Sequence, residues 1–334
     1  MISYRKKEVI LLSRSLVVVF PDLPENHATR IRNAAERRGF DCRFFGDRAE
    51  SLPFLSEAEV ILGSDPYLSA RAPSLRWICS PFAGTDAFMT GDAFANPDAL
   101  LSNSSGAYGV TIAEHVVMVL LQLLRRQPEY QAHISRREWV RRLPVRSIFG
   151  SRVTLLGTGD IGRETLLRLR SFSPERIIGV NRRGRNPDGL FDRVLRSADL
   201  DWVLPETDIL IISLPGVADT FHLVSAERLK LLPDHAVVVN VGRGSVVDQA
   251  ALEAELRGGR LIAALDVFEQ EPVPPESTLW NCPGLILTPH VAGDTTLPHT
   301  VDRIVDLFLE DFENYCAGRP LLRQVDRATG LPAR

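Results

Sequence analysis

The sequence predicts an α/β protein built from two doubly wound parallel sheets. Short runs rich in β-branched and aromatic residues alternate with helical patterns along the chain, which is typical of parallel strands covered by helices. One long apolar helix interrupts this alternation, and a glycine-rich turn follows the first strand after the interruption. Since 334 residues suffice for about two domains, we expect two α/β domains, each with its own sheet.

The composition excludes several classes of protein. Hydrophobic residues make up 45% of the chain and charged residues 24%, which are ordinary proportions for a globular protein. A net charge of −3 does not favour binding to nucleic acid or to an anionic membrane. The 4 cysteines lie far apart without a Cys-x-x-Cys pair, so we expect no metal site, no disulfide framework and a cytoplasmic location.

The first hundred residues form one series of alternating patterns. The helical spacing at 28–38 ends at Gly39, a common helix terminator. The apolar start at 9–12 is too short for a membrane span and is better interpreted as strand. The other predicted strands of this series are 16–20, 40–45, 60–63, 75–79 and 99–103.

Two helices are predicted in the middle of the chain. Residues 111–125 are apolar on nearly every face, so we expect another domain or another subunit to bury this helix. Burial inside a single subunit is the alternative to a subunit interface. The next helix, 128–142, is rich in arginine and is predicted to be amphipathic.

The alternation restarts at residue 152 and predicts a second sheet of six strands. The chain then ends on an amphipathic helix whose apolar side is expected to be buried. The predicted strands are 152–156, 176–180, 208–213, 236–240, 261–265 and 285–288, and the predicted helices are 161–170, 249–257 and 298–316.

A glycine-rich turn joins the first strand of the second sheet to its helix. Gly157 permits a tight turn, Gly159 lets the backbone approach a pyrophosphate, and Gly162 allows close packing of helix on strand. Asp160 and Ile161 open the helix, whose N-terminal N–H groups face the phosphates. The pattern therefore predicts a Rossmann-type dinucleotide site formed by these five residues.

The end of the second strand indicates which dinucleotide is preferred. NAD-selective sites place Asp or Glu there to bind the ribose diol, whereas this chain has Asn181 followed by Arg182 and Arg183. Two guanidinium groups suit a 2′-phosphate, so NADP(H) is the preferred cofactor in this interpretation, with NAD(H) as an alternative. A solvated arginine pair in a turn is the competing interpretation.

Polar residues follow three later strands of this sheet. Arg243 stands between two glycines, Glu271 follows the next strand, and His290 follows the last. Since the carboxyl ends of parallel strands converge on one crevice, we expect these side chains around one substrate. The Arg243 fork suits a carboxylate. The His290 imidazole can protonate a carbonyl oxygen, and the negative charge of Glu271 can orient the ring and favour its protonated form.

In these segments the chain closely resembles the D-isomer-specific 2-hydroxyacid dehydrogenases. The runs LLGTGDIG, VNVGRGSVVD, ALDVFEQEP and LTPHVAG occur in the order and spacing of that family. The resemblance implies a Rossmann-type nucleotide domain, residues 108–292, inserted into a flavodoxin-like substrate domain formed by 1–107 and 293–334. It also implies hydride transfer from NAD(P)H to a small 2-oxo acid such as glyoxylate or hydroxypyruvate. Residues 102–109 resemble the family's hinge segment, and the resemblance implies a homodimer paired through the helices after it.

The resemblance assigns roles to individual residues. It implies that Arg243 holds the substrate's carboxylate and carbonyl oxygen, while His290 is the acid/base and Glu271 its partner. It also implies that backbone N–H groups at Ala83 and Gly84 bind the carboxylate, and Tyr108 is expected to line the substrate pocket. Further cofactor contacts are expected at Thr111, Leu214, Pro215, Thr220, Val241, Gly242 and Asp266, the last near the nicotinamide carboxamide.

Two features leave alternatives open. Asp160 places a carboxylate in the phosphate loop, where it can cap the helix or repel a pyrophosphate. The same polar trio is shared by nicotinamide-sensing corepressors, so a binding protein of that kind is the alternative to an enzyme. A dehydrogenase of the same family acting on another acid, such as 3-phosphoglycerate, is a third interpretation.

Overall fold

A computed structural model describes residues 14–333, which divide into two compact units. The first unit holds 14–105 and 301–333, and the second holds Gly106–Thr300. The predicted strand at 9–12 lies outside the described residues. The strands are β1 (Arg14–Val19), β2 (Phe40–Phe45), β3 (Val60–Leu62), β4 (Trp77–Cys79), β5 (Leu100–Ser102), β6 (Arg152–Leu156), β7 (Arg176–Asn181), β8 (Arg193–Arg196), β9 (Ile209–Ile212), β10 (Val237–Asn240), β11 (Ile262–Leu265), β12 (Leu285–Leu287) and β13 (Gln324–Val325).

The α-helices of the described residues lie between these strands, and the last of them returns the chain to the first unit. They are α1 (Glu25–Arg37), α2 (Arg48–Ser51), α3 (Pro66–Ser69), α4 (Gly109–Leu124), α5 (Gln127–Ser135), α6 (Asp160–Arg170), α7 (Leu200–Val203), α8 (Ala226–Leu231), α9 (Gln249–Arg257) and α10 (Pro298–Cys316). No helix within 14–333 combines the length and apolar character that a bilayer crossing requires.

The first unit contains a six-stranded sheet in the order β13-β5-β4-β3-β1-β2. Its strands run parallel except β13, which pairs antiparallel with β5. The predicted parallel α/β sheet is confirmed, but β13 was not predicted because a two-residue strand has no periodicity to detect. The apolar side of α10 is buried as predicted, and Phe308 stacks on Trp77 with ring centroids 5.4 Å apart.

The second unit contains a seven-stranded parallel sheet in the order β12-β11-β10-β9-β6-β7-β8. The predicted doubly wound topology is confirmed. The prediction of six strands is wrong, because the sheet has a seventh, the edge strand β8, which pairs with β7. This strand reads Arg-Val-Leu-Arg, and only Leu195 in it is buried, so its sequence resembles that of an exposed loop. Apart from Arg152, every residue of the central strands β6, β9 and β10 is buried, as expected for parallel strands covered on both faces.

The arginine-rich helix after α4 is shorter than predicted. The structure ends α5 at Ser135, so the prediction of a helix to residue 142 is wrong. Arg137 and Arg142 both adopt left-handed backbone conformations, with φ of 61° and 67°, which a right-handed helix cannot contain. The predicted amphipathic character is also wrong, because α5 has no buried residue.

Helix α4 is buried partly within its own unit. It packs on α6 and on β10 and β11, which buries residues such as Val116 and Leu120. Several apolar side chains nevertheless stay exposed on α4 and in the irregular segment that follows α5. Met118 is 44% exposed, Trp139 92% and Phe149 73%.

Candidate active site

The glycine turn between β6 and α6 has the geometry that its sequence predicts. Gly157 has φ +107°, and a Cβ there would lie 2.6 Å from Ser213 Oγ. A Cβ at Gly162 would lie 2.1 Å from the Gly157 carbonyl oxygen, so the helix can pack this closely only without a side chain. At Gly159 a Cβ would meet nothing within 4 Å, and no described side chain caps α6. Open space therefore lies beside the N–H groups of the helix terminus, as pyrophosphate binding requires.

The carboxylate of Asp160 has a partner that the sequence did not indicate. Its Oδ2 accepts the backbone N–H of Gly109, the first residue of α4, at 2.8 Å. A Cβ at Gly109 would lie 2.6 Å from that oxygen, so glycine is needed for this approach. The N-terminus of α4 therefore holds the negative charge in the phosphate loop, and its dipole favours that charge.

The turn after β7 presents three arginines. Asn181 organises it: its Nδ2 donates to Thr158 Oγ1 at 2.8 Å and to the Arg185 carbonyl at 2.9 Å, and its Oδ1 accepts the Arg183 N–H at 3.0 Å. The side chains of Arg182, Arg183 and Arg185 are exposed, and none forms an ion pair with a carboxylate within 14–333. Arg185 was missed, because the sequence alone did not show that the turn folds back on Asn181.

The remaining predicted cofactor contacts lie on loops of the second unit. Thr220 Oγ1 donates to the Pro215 carbonyl at 2.6 Å and closes the loop after β9. Thr111 Oγ1 shares a hydrogen bond of 2.8 Å with Thr300 Oγ1, so its hydroxyl already has a protein partner. A Cβ at Gly242 would lie 2.5 Å from the Leu214 carbonyl oxygen. The roles of these residues, and of Val241 and Ile161, in cofactor binding stay predictions.

The loop that contains Arg243 packs closely against two neighbouring loops, so the positions on either side of Arg243 have room only for glycine. A Cβ at Gly244 would lie 1.9 Å from the Phe268 carbonyl carbon, while Gly242 packs on the loop after β9. The buried Asn240 fixes the backbone here: its Nδ2 donates to the Arg243 carbonyl at 2.9 Å and its Oδ1 accepts the Gly242 N–H at 3.0 Å. One nitrogen of Arg243, Nη1, donates to the Gly242 carbonyl at 2.8 Å.

His290 and Glu271 meet as predicted. The distance between His290 Nδ1 and Glu271 Oε2 is 2.7 Å, and Glu271 Oε1 accepts the Phe268 N–H at 2.8 Å. An ionised carboxylate only accepts hydrogen bonds, so Nδ1 carries a proton and Nε2 is the nitrogen left for a substrate. The His290 side chain is 48% exposed, which leaves the ring open to a ligand.

Asp266 holds the segment that carries His290. Its buried carboxylate accepts the N–H of Val291 at Oδ1 (2.9 Å) and of Ala292 at Oδ2 (3.0 Å). Its carbonyl oxygen accepts the His290 N–H at 2.9 Å. His290 itself has φ +55°, so these bonds stabilise a conformation that non-glycine residues seldom adopt. The predicted place of Asp266 near the nicotinamide stays a prediction.

The predicted carboxylate turn lies in the first unit, after β4. Asn103 Nδ2 donates to the Ala83 carbonyl at 2.7 Å, and Ser80 Oγ accepts the Phe82 N–H at 3.2 Å. These bonds hold the turn at Ala83 and Gly84 in one shape. Tyr108, in the second unit, is buried, and burial raises the pKa of its hydroxyl. The substrate contacts of these residues stay predictions.

The second unit thus combines an uncapped helix N-terminus beside a glycine turn, an arginine-rich turn, and a histidine–glutamate pair at the carboxyl edge of one parallel sheet. These residues fit a dinucleotide: the space at Gly159 suits the pyrophosphate, and the exposed arginines suit a phosphate on the ribose. A fold and site of this kind define a nicotinamide-dependent oxidoreductase.

Comparison with known proteins agrees with that class. Residues 117–292 match the family model described as "D-isomer specific 2-hydroxyacid dehydrogenase, NAD binding domain". The glyoxylate/hydroxypyruvate reductase B of Pectobacterium atrosepticum is 32% identical over 253 residues, which cover 73% of this chain and 78% of that protein. The chain therefore belongs to the D-isomer specific 2-hydroxyacid dehydrogenases, the family that its sequence motifs predicted.

Two solved structures of the family are similar over nearly the whole chain. A D-isomer specific 2-hydroxyacid dehydrogenase family protein from Aeromonas salmonicida is 30% identical, with a TM-score of 0.82 over 94% of this chain and 99% of that one. The NADPH-dependent glyoxylate/hydroxypyruvate reductase of Sinorhizobium meliloti, solved with NADP and sulfate, is 28% identical, with a TM-score of 0.80 over 95% of this chain and 100% of that one.

Proposed function

We propose that this protein is an NADPH-preferring reductase that converts a small 2-oxo acid, such as glyoxylate or hydroxypyruvate, into its D-2-hydroxy acid. The observation that carries the proposal is the His290–Glu271 pair, joined at 2.7 Å at the carboxyl edge of the sheet that bears the glycine turn. The names of the Pectobacterium and Sinorhizobium relatives, both glyoxylate/hydroxypyruvate reductases, support the same substrate class.

The reaction needs a proton donor and a group that orients the acid. Bound NADPH supplies the hydride that reaches the carbonyl carbon. His290 Nε2 donates a proton to the carbonyl oxygen, and the adjacent Glu271 carboxylate stabilises the positive charge of the ring before transfer. Arg243 holds the substrate carboxylate with its planar fork and stabilises negative charge on the reacting oxygen. The backbone N–H groups at Ala83 and Gly84 are our candidates for a second contact with the carboxylate.

The preference for NADPH rests on the turn after β7. Asn181 replaces the acidic residue that would bind a ribose diol, and its side chain is occupied in shaping the turn. Arg182, Arg183 and Arg185 then present three cations at the place where a 2′-phosphate would lie. A carboxylate in place of Asn181 would repel that phosphate, and none is present here.

We also propose a cytoplasmic homodimer that pairs through α4, α5 and the segment after α5. Trp139 and Phe149, both in the segment after α5, are 92% and 73% exposed, and large exposed apolar side chains favour a protein interface. The four unpaired cysteines agree with a reducing compartment. Sedimentation of wild type and of the Trp139→Ser/Phe149→Ser variant tests the dimer: we expect a dimer that the double substitution weakens, and a wild-type monomer would overturn the proposal.

A substrate panel tests the proposed activity directly. NADPH and NADH oxidation would be followed with glyoxylate, hydroxypyruvate, pyruvate and 3-phosphohydroxypyruvate. We expect the highest kcat/KM with NADPH as the cofactor and either glyoxylate or hydroxypyruvate as the substrate. Turnover of none of the four acids, alongside tight NADPH binding, would favour a nicotinamide sensor. A preference for 3-phosphohydroxypyruvate would move the assignment to a dehydrogenase of 3-phosphoglycerate.

A further inference from the structure

A second histidine of the same unit reaches the segment of His290 from the neighbouring helix. His115 lies on α4, and its Nε2 is 3.3 Å from the hydroxyl of Thr288. The Thr288 hydroxyl donates in turn to Asp266 Oδ1 at 2.6 Å. The three side chains thus form one hydrogen-bonded chain from α4 to the carboxylate that holds the backbone of Val291 and Ala292.

The direction of each hydrogen bond in this chain follows from chemistry. A carboxylate only accepts, so the single proton of the Thr288 hydroxyl goes to Asp266. The hydroxyl oxygen can then only accept from His115, so the proton of the neutral His115 ring sits on Nε2. His115 is half-buried, and this burial lowers its pKa, while the charge of Asp266 acts in the opposite direction.

We propose that His115 is a positioning residue: through Thr288 it fixes Asp266, and Asp266 fixes the left-handed backbone that aims His290 at the substrate. Asp266 Oδ1 receives hydrogen bonds from both Thr288 and Val291, so a shift of the Thr288 hydroxyl moves the oxygen that anchors the loop. His290 has φ +55° and needs such anchoring to stay in place. Misplacement of a catalytic group by about 1 Å costs as much as a hundredfold in rate.

The positioning role of His115 rests on the proposed function only in its predicted effect on kcat. Breaking this hydrogen-bonded chain should lower kcat much more than it weakens NADPH binding, because no hydrogen bond within 14–333 joins His115 or Thr288 to the glycine turn or the arginine turn. We expect His115→Leu and Thr288→Val each to lower kcat about tenfold, with Kd for NADPH within about twofold of wild type. The double variant should be no slower than the slower single variant, because both changes break the same chain.

Conservative variants separate the hydrogen bonds from mere packing. His115→Gln places an amide N–H near the position of Nε2, and Thr288→Ser keeps the hydroxyl, so both should restore kcat to within about threefold of wild type. His299→Leu removes an exposed histidine of the same unit and serves as the matched control. His115→Leu at full kcat, or His115→Gln as slow as His115→Leu, would overturn the proposal.

Hydrogen exchange gives a readout that does not depend on any substrate. Amide exchange of the peptide that contains Val291 and Ala292 should be about tenfold faster in His115→Leu and Thr288→Val than in wild type, and near wild type in His115→Gln. Unchanged exchange in the Leu and Val variants would overturn the positioning role even if the wild type reduced none of the acids tested. Inactivity of the wild type with altered exchange in the variants would contradict only the proposed function.

Discussion

Glu271 holds His290 through a hydrogen bond of 2.7 Å at Nδ1, while its second oxygen accepts the backbone N–H of Phe268 at 2.8 Å. The bond to Phe268 fixes the carboxylate independently of the ring. Because the bond is made at Nδ1, it orients Nε2 away from the carboxylate and leaves that nitrogen for chemistry. In the proposed mechanism, this carboxylate balances the positive charge of the ring that donates a proton during reduction.

Replacing the charge of Glu271 should slow the reaction. Glu271→Gln keeps a hydrogen-bond acceptor for Nδ1 but removes the negative charge that favours the imidazolium. We expect kcat for reduction to fall about tenfold to a hundredfold, with the Kd of NADPH nearly unchanged. Steady-state kinetics and a fluorescence titration measure the two quantities. Glu276→Gln removes an exposed carboxylate of the same loop and is the control, and equal kcat in the two variants would speak against the role of Glu271.

The turn after β7 should determine the choice of cofactor. Replacement of Arg182, Arg183 and Arg185 by serine removes three cations that suit a 2′-phosphate, so KM for NADPH should rise by at least about tenfold while KM for NADH changes little. Adding Asn181→Asp should then favour NADH by supplying an acceptor for the ribose diol. Arg37→Ser, on the exposed side of α1, is the control. If the ratio of kcat/KM for NADPH to that for NADH did not change, the arginines would be solvated side chains that do not bind the 2′-phosphate.

Variants of Asp160 distinguish two roles of its carboxylate, positioning of the phosphate loop and repulsion of the pyrophosphate. Asp160→Asn keeps an oxygen for the Gly109 N–H but removes the negative charge, whereas Asp160→Ala removes both. If the hydrogen bond positions the phosphate loop, the alanine variant should bind NADPH about fivefold more weakly and the asparagine variant about as well as wild type. Tighter NADPH binding in both variants would mean instead that the carboxylate repels the pyrophosphate.

The positions of most strands along the chain and the chemistry at their ends were predictable from the sequence, because both depend on local patterns. The apolar runs of β6, β9 and β10 and the glycines at 157 and 162 specify strand, turn and helix within a few residues. The pairing of Glu271 with His290 was predicted from the convergence of strand ends in a parallel sheet.

Contacts between distant segments were not predictable in the same way. No sequence pattern joins Asp160 to Gly109 or His115 to Thr288, because those contacts depend on how α4 packs beside α6 and the later strands. The early end of α5 also escaped prediction, since arginine favours helices and only the observed left-handed backbone at Arg137 and Arg142 interrupts the pattern.

An ion pair at the base of the second sheet should make stability depend on acid pH. Arg152 binds Asp208 with two guanidinium nitrogens, Nη2 at 2.8 Å and Nε at 3.0 Å, and its backbone N–H donates at 2.8 Å. The hydrogen bonds from Arg152 hold the pKa of Asp208 below its ordinary value. The folded state therefore binds fewer protons here than the unfolded state, so this contribution is complete above about pH 4 and is lost as the pH falls through the lowered pKa.

Asp208→Asn should therefore reduce the free energy of unfolding at pH 7 by about 1 kcal/mol, a modest value because both side chains are partly solvated. The difference from wild type should shrink as the pH is lowered towards 3, because acid protonates Asp208 in the wild type as well. Urea unfolding at pH 7 and at lower pH measures both values. Asp201→Asn, an exposed partner of Arg228, is the control, and a difference that persists unchanged in acid would contradict the assignment to this carboxylate.

The proton-donating role of His290 is tested most directly by the rate at which His290→Ala reduces glyoxylate or hydroxypyruvate with NADPH, measured beside its Kd for NADPH. The account predicts that kcat falls by about a hundredfold or more, since general acid catalysis contributes at least that much, while the Kd stays within about twofold of wild type. Wild-type kcat in the alanine variant would contradict the account, because the proton would then have to come from another group.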